Sequence, residues 1–369
     1  MEQLSSGVIG LVVGAVLGLA LSVFFEDALK RKIAKSVKAV RRALADPVAS
    51  QLRTEFRLGP LQSTVMIVEG DGSQVIGEQA VDVVVDPDPV VLPDEVNQLR
   101  LEVAARQAAL TETGLHAQWN GPTYAVSGLS IRRLGVDESP GVRLRLKSSD
   151  YFTFLATQQL DRELPDGTTL RGKYVDPFAP AEVPEFMRAS FGTYTVVVTA
   201  DDLTVFAKRS QAVGAFPGCW DVSANEALSR SLDSHGRTPP SLYDVARRGL
   251  REELGLDRTD YRIELLAFDV DRRTNQWGCI FVAFLHEISG TQLAEHRTRG
   301  VADKWEHDET EFVRFSVSDV VGHLLRMDRR DNWTPVAPAA FYLALIRRFG
   351  RTHVERRSVQ LIRKLTDRM

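Results

Sequence analysis

The sequence predicts an α/β protein in which a single N-terminal transmembrane helix precedes an α+β region and a second body of alternating strands and helices. Three observations lead there. Residues 7–25 read GVIGLVVGAVLGLALSVFF, nineteen positions without a charge. From Gly192 onward, β-branched runs alternate with a helix that carries clear start and stop signals. The 369 residues are 44% hydrophobic and 26% charged, with two cysteines, which is globular composition for roughly two or three domains. That excludes a disulfide scaffold, a mainly disordered chain and a polytopic membrane protein, and it suits a reducing compartment.

At the helical rise, residues 7–25 span roughly 28 Å, close to the thickness of a bilayer core. The preceding MEQLSS has no positive charge, unlike a cleaved signal peptide. Seven Lys or Arg follow within about twenty residues, so the segment is expected to sit single-pass in a bacterial inner membrane, N-terminus outside and body in the cytoplasm. Gly10, Gly14 and Gly18 form a small-residue ridge suited to self-association into a homo-oligomer. Residues 26–46 read as a basic juxtamembrane amphipathic helix with Leu29, Ile33, Val37, Val40 and Leu44 on one stripe. It lies in the lipid headgroups, pairs with its own copies, or serves only as a solvated flank.

The net charge of −3 is an average over unlike parts: −1 from Glu2, +4 over 26–46, +6 over 347–369, and −12 over 47–346. An acidic body with basic ends argues against a nucleic-acid polymer as partner and for membrane lipid at the ends.

Residues 47–60 read as a linker, and 60–190 as an α+β N-terminal extension. Within it STVMIVEGDG and QAVDVVVDPDPVVLP are strands and 93–113 a helix closed by Gly114. YAVSGLSIRRL and GVRLRLKSSDYF are strands, a helix runs around 152–164, and a proline-rich loop follows. The segment 192–350 opens with the hairpin TYTVVVT–ADD–LTVFAKRS. Pro239 and Pro240 precede Ser241, with Asp244 three residues on as a capping box and Gly255 as the stop. Strands RIELLAFDV and CIFVAFLHEI, an acidic loop ADKWEHDETEF and a helix over 339–349 complete the body; 351–369 is a basic C-terminal tail.

Arg248, Leu250, Glu252, Glu253, Gly255 and Leu256 resemble the second half of the Nudix box, and the hairpin before them resembles the start of that fold. The resemblance covers roughly residues 143–350 and implies an α/β/α sandwich around a mixed sheet, with an N-terminal extension like that of the UDP-sugar diphosphatases. It implies Mg2+ held by glutamates on one helix edge, where i, i+3 and i+4 side chains converge. Glu252 and Glu253 are the expected metal ligands, with Arg248 and Gly255 structural, Arg248 by pairing with Glu252 at i+4 and holding it in place. The box departs from the pattern at Gly249, which replaces a glutamate, and in a 21-residue spacing from Glu226 to Arg248. Glu226 is the candidate upstream ligand. Asp303 and Glu306 are a candidate ligand and a candidate base from the distal loop, alongside Glu253 as catalytic carboxylate. Lys208 and Arg209 are the candidate phosphate binders.

Two functions follow as expectations. The layout resembles the membrane–Nudix effectors of cyclic-oligonucleotide antiphage systems, in which a nucleotide signal leads to inner-membrane disruption. Alternatively, the chain is an Mg-dependent Nudix hydrolase of a nucleoside diphosphate linked to another group, tethered to the membrane. Gly249 stands against the second.

Overall fold

The computed structural model describes residues 55–136, 138–175, 183–234, 239–300 and 307–366, which fall in one compact unit from Leu52 to Met369. The chain opens with β1 (Glu55–Leu58), turns at Gly59, and returns as β2 (Leu61–Glu69). The end of the expected linker is therefore a strand. β2 alternates buried and partly exposed positions along LQSTVMIVE, the period of a strand with one covered face. Next come β3 (Val81–Pro89), α1 (Asp94–Glu112), β4 (Pro122–Leu134) and β5 (Ser139–Asp150). The short helices α2 (Tyr151–Thr157) and α3 (Leu170–Tyr174) follow. The helix expected to reach Leu164 thus ends at Thr157. Asp150 caps α2, its carboxylate accepting from Thr153 N at 3.0 Å.

The second half comprises β6 (Phe191–Val198), β7 (Leu203–Arg209), β8 (Trp220–Asp221), β9 (Ala224–Ala227), α4 (Arg230–Asp233) and α5 (Leu242–Leu254). β10 (Tyr261–Asp271), β11 (Gln276–Leu285), α6 (Gly290–Gly300), β12 (His307–Arg314), α7 (Val317–Leu324), α8 (Ala337–Phe349) and α9 (Arg351–Thr366) complete it. Among the described residues one mixed sheet runs β1-β2-β10-β11-β6-β7-β12, with β8 beside β7 and β9 beside β6. Only β11 and β6 pair in parallel within it. A three-stranded sheet, β3-β5-β4, stands apart.

β11 is buried almost throughout because both faces of the sheet are covered. On one face α5 and the small sheet share a core of Tyr243, Val245, Val126, Leu144, Phe268 and Phe281. On the other lies α8, where Phe341 stacks on Phe206 at 4.0 Å between centroids.

The expected fold class and localisation need correction. No helix among the described residues is long and apolar enough to cross a membrane. The apolar α8 has 13 residues, about 20 Å against a bilayer core of about 30 Å, with Arg347 and Arg348 in its last turn, and α7 has only 8 residues. The longer α1 and α9 are polar. The expected span at 7–25 and the amphipathic helix at 26–46 lie outside the described residues. The single transmembrane helix and the inner-membrane placement are therefore withdrawn. What the described residues form is a mixed α/β fold, and most of the expected basic tail is the helix α9.

Candidate functional site at helix α5

Local sequence fixes the ends of α5. Ser241 accepts from Asp244 N, and Gly255 adopts φ 67°, donating its N–H to Arg251 O while Leu256 N reaches Leu250 O. Leu242, Val245, Ala246, Leu250 and Leu254 are buried at helical spacing, so α5 is seated on β6 and β9 along one face. That seating carries Arg248, Glu252 and Glu253 to the edge facing β9.

Arg248 is the hub of this edge and is 9% exposed. Its Nε and Nη2 donate to the two carboxylate oxygens of Asp233 at 3.0 and 2.9 Å. Nη2 also donates to Ala227 O at 3.0 Å. Nη1 lies 2.8 Å from Glu226 Oε2 and 3.4 Å from Glu252 Oε2. Burial works to lower its pKa, but Asp233, Glu226 and Glu252 outweigh it, and the guanidinium is held above its ordinary value. One arginine thus joins three carboxylates.

Gly249 is where β9 approaches the helix. A Cβ there would sit 3.0 Å from Glu226 Cβ and 3.5 Å from Glu253 Oε1. Glu226 therefore fills the space a side chain at 249 would need. Glu253 is 2% exposed; its Oε1 accepts from Asn225 N at 2.9 Å and its Oε2 lies 3.4 Å from His307 Nδ1. Burial first, then Arg297 and Arg209, push the His307 pKa down to about 3, so the imidazole is neutral at neutral pH. Arg297 on α6 is itself lowered by burial, with Glu253 opposing the shift.

The structure brings Glu226, Arg248, Glu252 and Glu253 together, with Gly255 closing the helix. It does not add Lys208 and Arg209 to them as open phosphate binders. Lys208 Nζ lies 3.5 Å from Glu309 and 5.8 Å from the Trp220 ring. Arg209 donates to Asp221 at 3.1 Å and to Ala215 O at 2.9 Å. Asp303 and Glu306 lie outside the described residues. Sequence reasoning missed Asp233, Asn225, His307 and Arg297. Of these only Asp233 carried a signal, as an acid in the long stretch between Glu226 and Arg248.

These residues do not fit the expected Mg2+. A hard divalent cation wants converging oxygens, whereas Glu226 and Glu252 both turn to Arg248, and Glu253 is engaged by Asn225 and His307. Among the described residues no group of three or more His, Cys, Asp or Glu is placed to hold a metal ion.

No family model matches the chain, and no curated protein matches it. Solved structures are similar over part of it, among them the following three. One, DR0079 from Deinococcus radiodurans, shares 14% identity over 37% of this chain and 73% of its own, with a TM-score of 0.27. A MutT NUDIX hydrolase from Burkholderia pseudomallei shares 17% over 41% and 95%, with a TM-score of 0.26. A MutT protein from Methanosarcina mazei Go1 shares 15% over 44% and 94%, with a TM-score of 0.25. At these scores the likeness carries no argument about what this chain does, and any function rests on the site itself.

Proposed function

We propose that this chain is a Nudix-like binding protein for a nucleotide, one that engages its ligand without a catalytic metal. The observation that carries the reading is the Arg248 hub. Where a Nudix hydrolase needs a cation between carboxylates, this chain supplies a guanidinium bonded to Glu226, Asp233 and Glu252. Beside it, on the outer side of α5, lies a groove of about 410 Å³, within the size range of small-molecule sites. Arg247, Arg248, Arg251 and Arg258 line it, against Asp233, Asp244 and Asp257. Arg258 is exposed, and Arg251, 60% exposed and 3.4 Å from Glu252, can leave that surface pair for a phosphate, for which planar guanidinium donors are well suited. Tyr261 and Leu256 supply an apolar wall. This keeps the nucleotide-receptor half of the sequence expectation and leaves the membrane half aside.

A second reading has one observation in its favour. Glu226 occupies the space above Gly249 next to Glu253, as a substitute for the missing box glutamate would. On that reading the chain is a hydrolase of a nucleoside diphosphate derivative.

Calorimetric titration with UDP-glucose, ADP-ribose and cyclic dinucleotides, in EDTA and in magnesium, separates the two. A binding protein of the proposed kind takes at least one of them with similar affinity in both buffers and without turnover. Its affinity falls about tenfold in an Arg251→Ala, Arg258→Ala double variant. Magnesium-dependent turnover that Glu253→Gln abolishes would establish the hydrolase instead.

A further inference from the structure

A second cavity, of about 60 Å³, lies on the opposite side of the sheet from α5. Phe268 and Val270 of β10 point into the core under α5, so the alternating Asp269 and Asp271 face the other way, toward the segment 334–336 that leads into α8. The floor has room because Gly192 and Gly278 sit directly opposite each other on β6 and β11. The Tyr194 ring lies flat across them: a Cβ on Gly192 would meet Tyr194 Oη at 2.7 Å, and one on Gly278 would meet Cε2 at 2.4 Å.

Three carboxylates line this cavity, Asp221, Asp269 and Asp271, against one guanidinium, Arg209. Two of them are satisfied. Asp221 accepts from Arg209, Asn225 Nδ2, Thr334 Oγ1 and Val222 N. Asp271 accepts from Thr64 Oγ1, Arg273 N and Thr274 Oγ1. Asp269 is different. It is 1% exposed, and its buried Oδ2 has no hydrogen-bond partner. Burial, and then Asp271, drive its pKa well above the ordinary carboxylate range. A buried acceptor left unmade costs about 1–3 kcal/mol, and native structures rarely keep one without a use.

We propose that this cavity binds a compact organic cation, an ammonium head group whose N–H donors satisfy Asp269. Without counting Asp269, Asp221 and Asp271 already outnumber Arg209 and repel phosphate, so this is not a second nucleotide-phosphate site. A hard divalent cation would need about six oxygens, and those of Asp221 and Asp271 are already committed to donors. An ammonium needs few acceptors. It also gains from aromatic faces, and Tyr194 and Phe216 both line the cavity. The site is separate from the α5 groove, and its assignment does not rest on the nucleotide reading.

The test uses the full chain at constant ionic strength, with thermal stability and tryptophan fluorescence as readouts. Methylammonium chloride is the probe, ammonium chloride tests for a free inorganic ion, and tetramethylammonium chloride and sodium phosphate are comparators. Methylammonium is expected to act saturably, at least about tenfold more tightly than tetramethylammonium, which has no N–H to give Asp269. Asp269→Asn is expected to weaken methylammonium by a similar factor. The comparison among cations needs only the wild-type chain, so it stands even where the variant fails to fold. Equal responses to methylammonium and tetramethylammonium, an unchanged affinity in folded Asp269→Asn, or saturable binding of ammonium alone would each overturn the proposal.

Discussion

Arg248 decides the character of the site more than any other residue. Sequence reading placed it as the arginine that steadies Glu252 four residues on. The structure gives that contact the longest distance of the set, 3.4 Å, behind Asp233 and Glu226. The difference is physical: an i,i+4 pair is read from spacing, whereas Asp233 and Glu226 reach Arg248 only after β9 and α4 fold back onto the helix. Removing the guanidinium leaves three carboxylates facing one another in a poorly solvated place. Arg248→Met is expected to destabilise the chain by about 3–5 kcal/mol, the usual cost of breaking a buried ion-pair network from one side. Urea unfolding measures it, and a loss below about 1 kcal/mol would mean that the hub is ornamental. Adding Asp233→Asn to the same variant is expected to recover part of the loss.

At the scale of the element, α5 was the most legible part of the chain and β9 the least. Ser241 and Gly255 are local signals, and both close the helix as read; Asp244 donates its N–H to Ser241, but its carboxylate turns to Arg247 instead of completing the capping box. β9 has four residues and no alternation strong enough to announce it, yet it delivers Glu226 and the Asn225 amide to the site. Its approach explains Gly249. Alanine has the higher helix propensity, by roughly 1 kcal/mol, and would stabilise an unobstructed helix. Here the added methyl meets Glu226 Cβ at 3.0 Å, so Gly249→Ala is expected to be neutral or destabilising instead. In a Glu226→Gly background, which removes that Cβ, the same change should turn stabilising. A double-mutant cycle by urea unfolding reads that sign change directly. The acidic pair on β10 was legible in principle: Asp269 and Asp271 lie two apart in a strand, hence on one face. What the sequence did not reveal was that this face is covered.

At the scale of the molecule, a mixed α/β fold is what stands of the expected fold class, and the membrane-spanning layout is not upheld. Alternating β-branched runs and helix caps report on the first. The second rested on an apolar run and its flanking charges, which lie outside the described fold. The closed interior has a consequence for acid stability. His307 and His323 are buried, with pKa values pushed down to about 3 and about 4. The unfolded chain binds these protons near the ordinary histidine value and the folded chain does not, so stability falls as pH drops below about 6.5. Asp269, raised by burial and then by Asp271, acts in the opposite sense, because the folded state holds its proton more tightly than the unfolded state does. Comparing wild type with His307→Asn isolates the histidine. Wild type is expected to lose about 2 kcal/mol more than the variant between pH 7 and pH 5. Parallel profiles would show that His307 is accessible to protons in the folded state.

The central claim is that the α5 edge carries its own cation, with Glu226, Asp233 and Glu252 committed to Arg248 instead of a catalytic metal. Titrating the full chain with Mn2+ and following free metal by electron paramagnetic resonance tests that most directly. The account predicts no site of micromolar affinity and no change on Glu252→Gln or Glu253→Gln. A stoichiometric micromolar site that either substitution abolishes would contradict it.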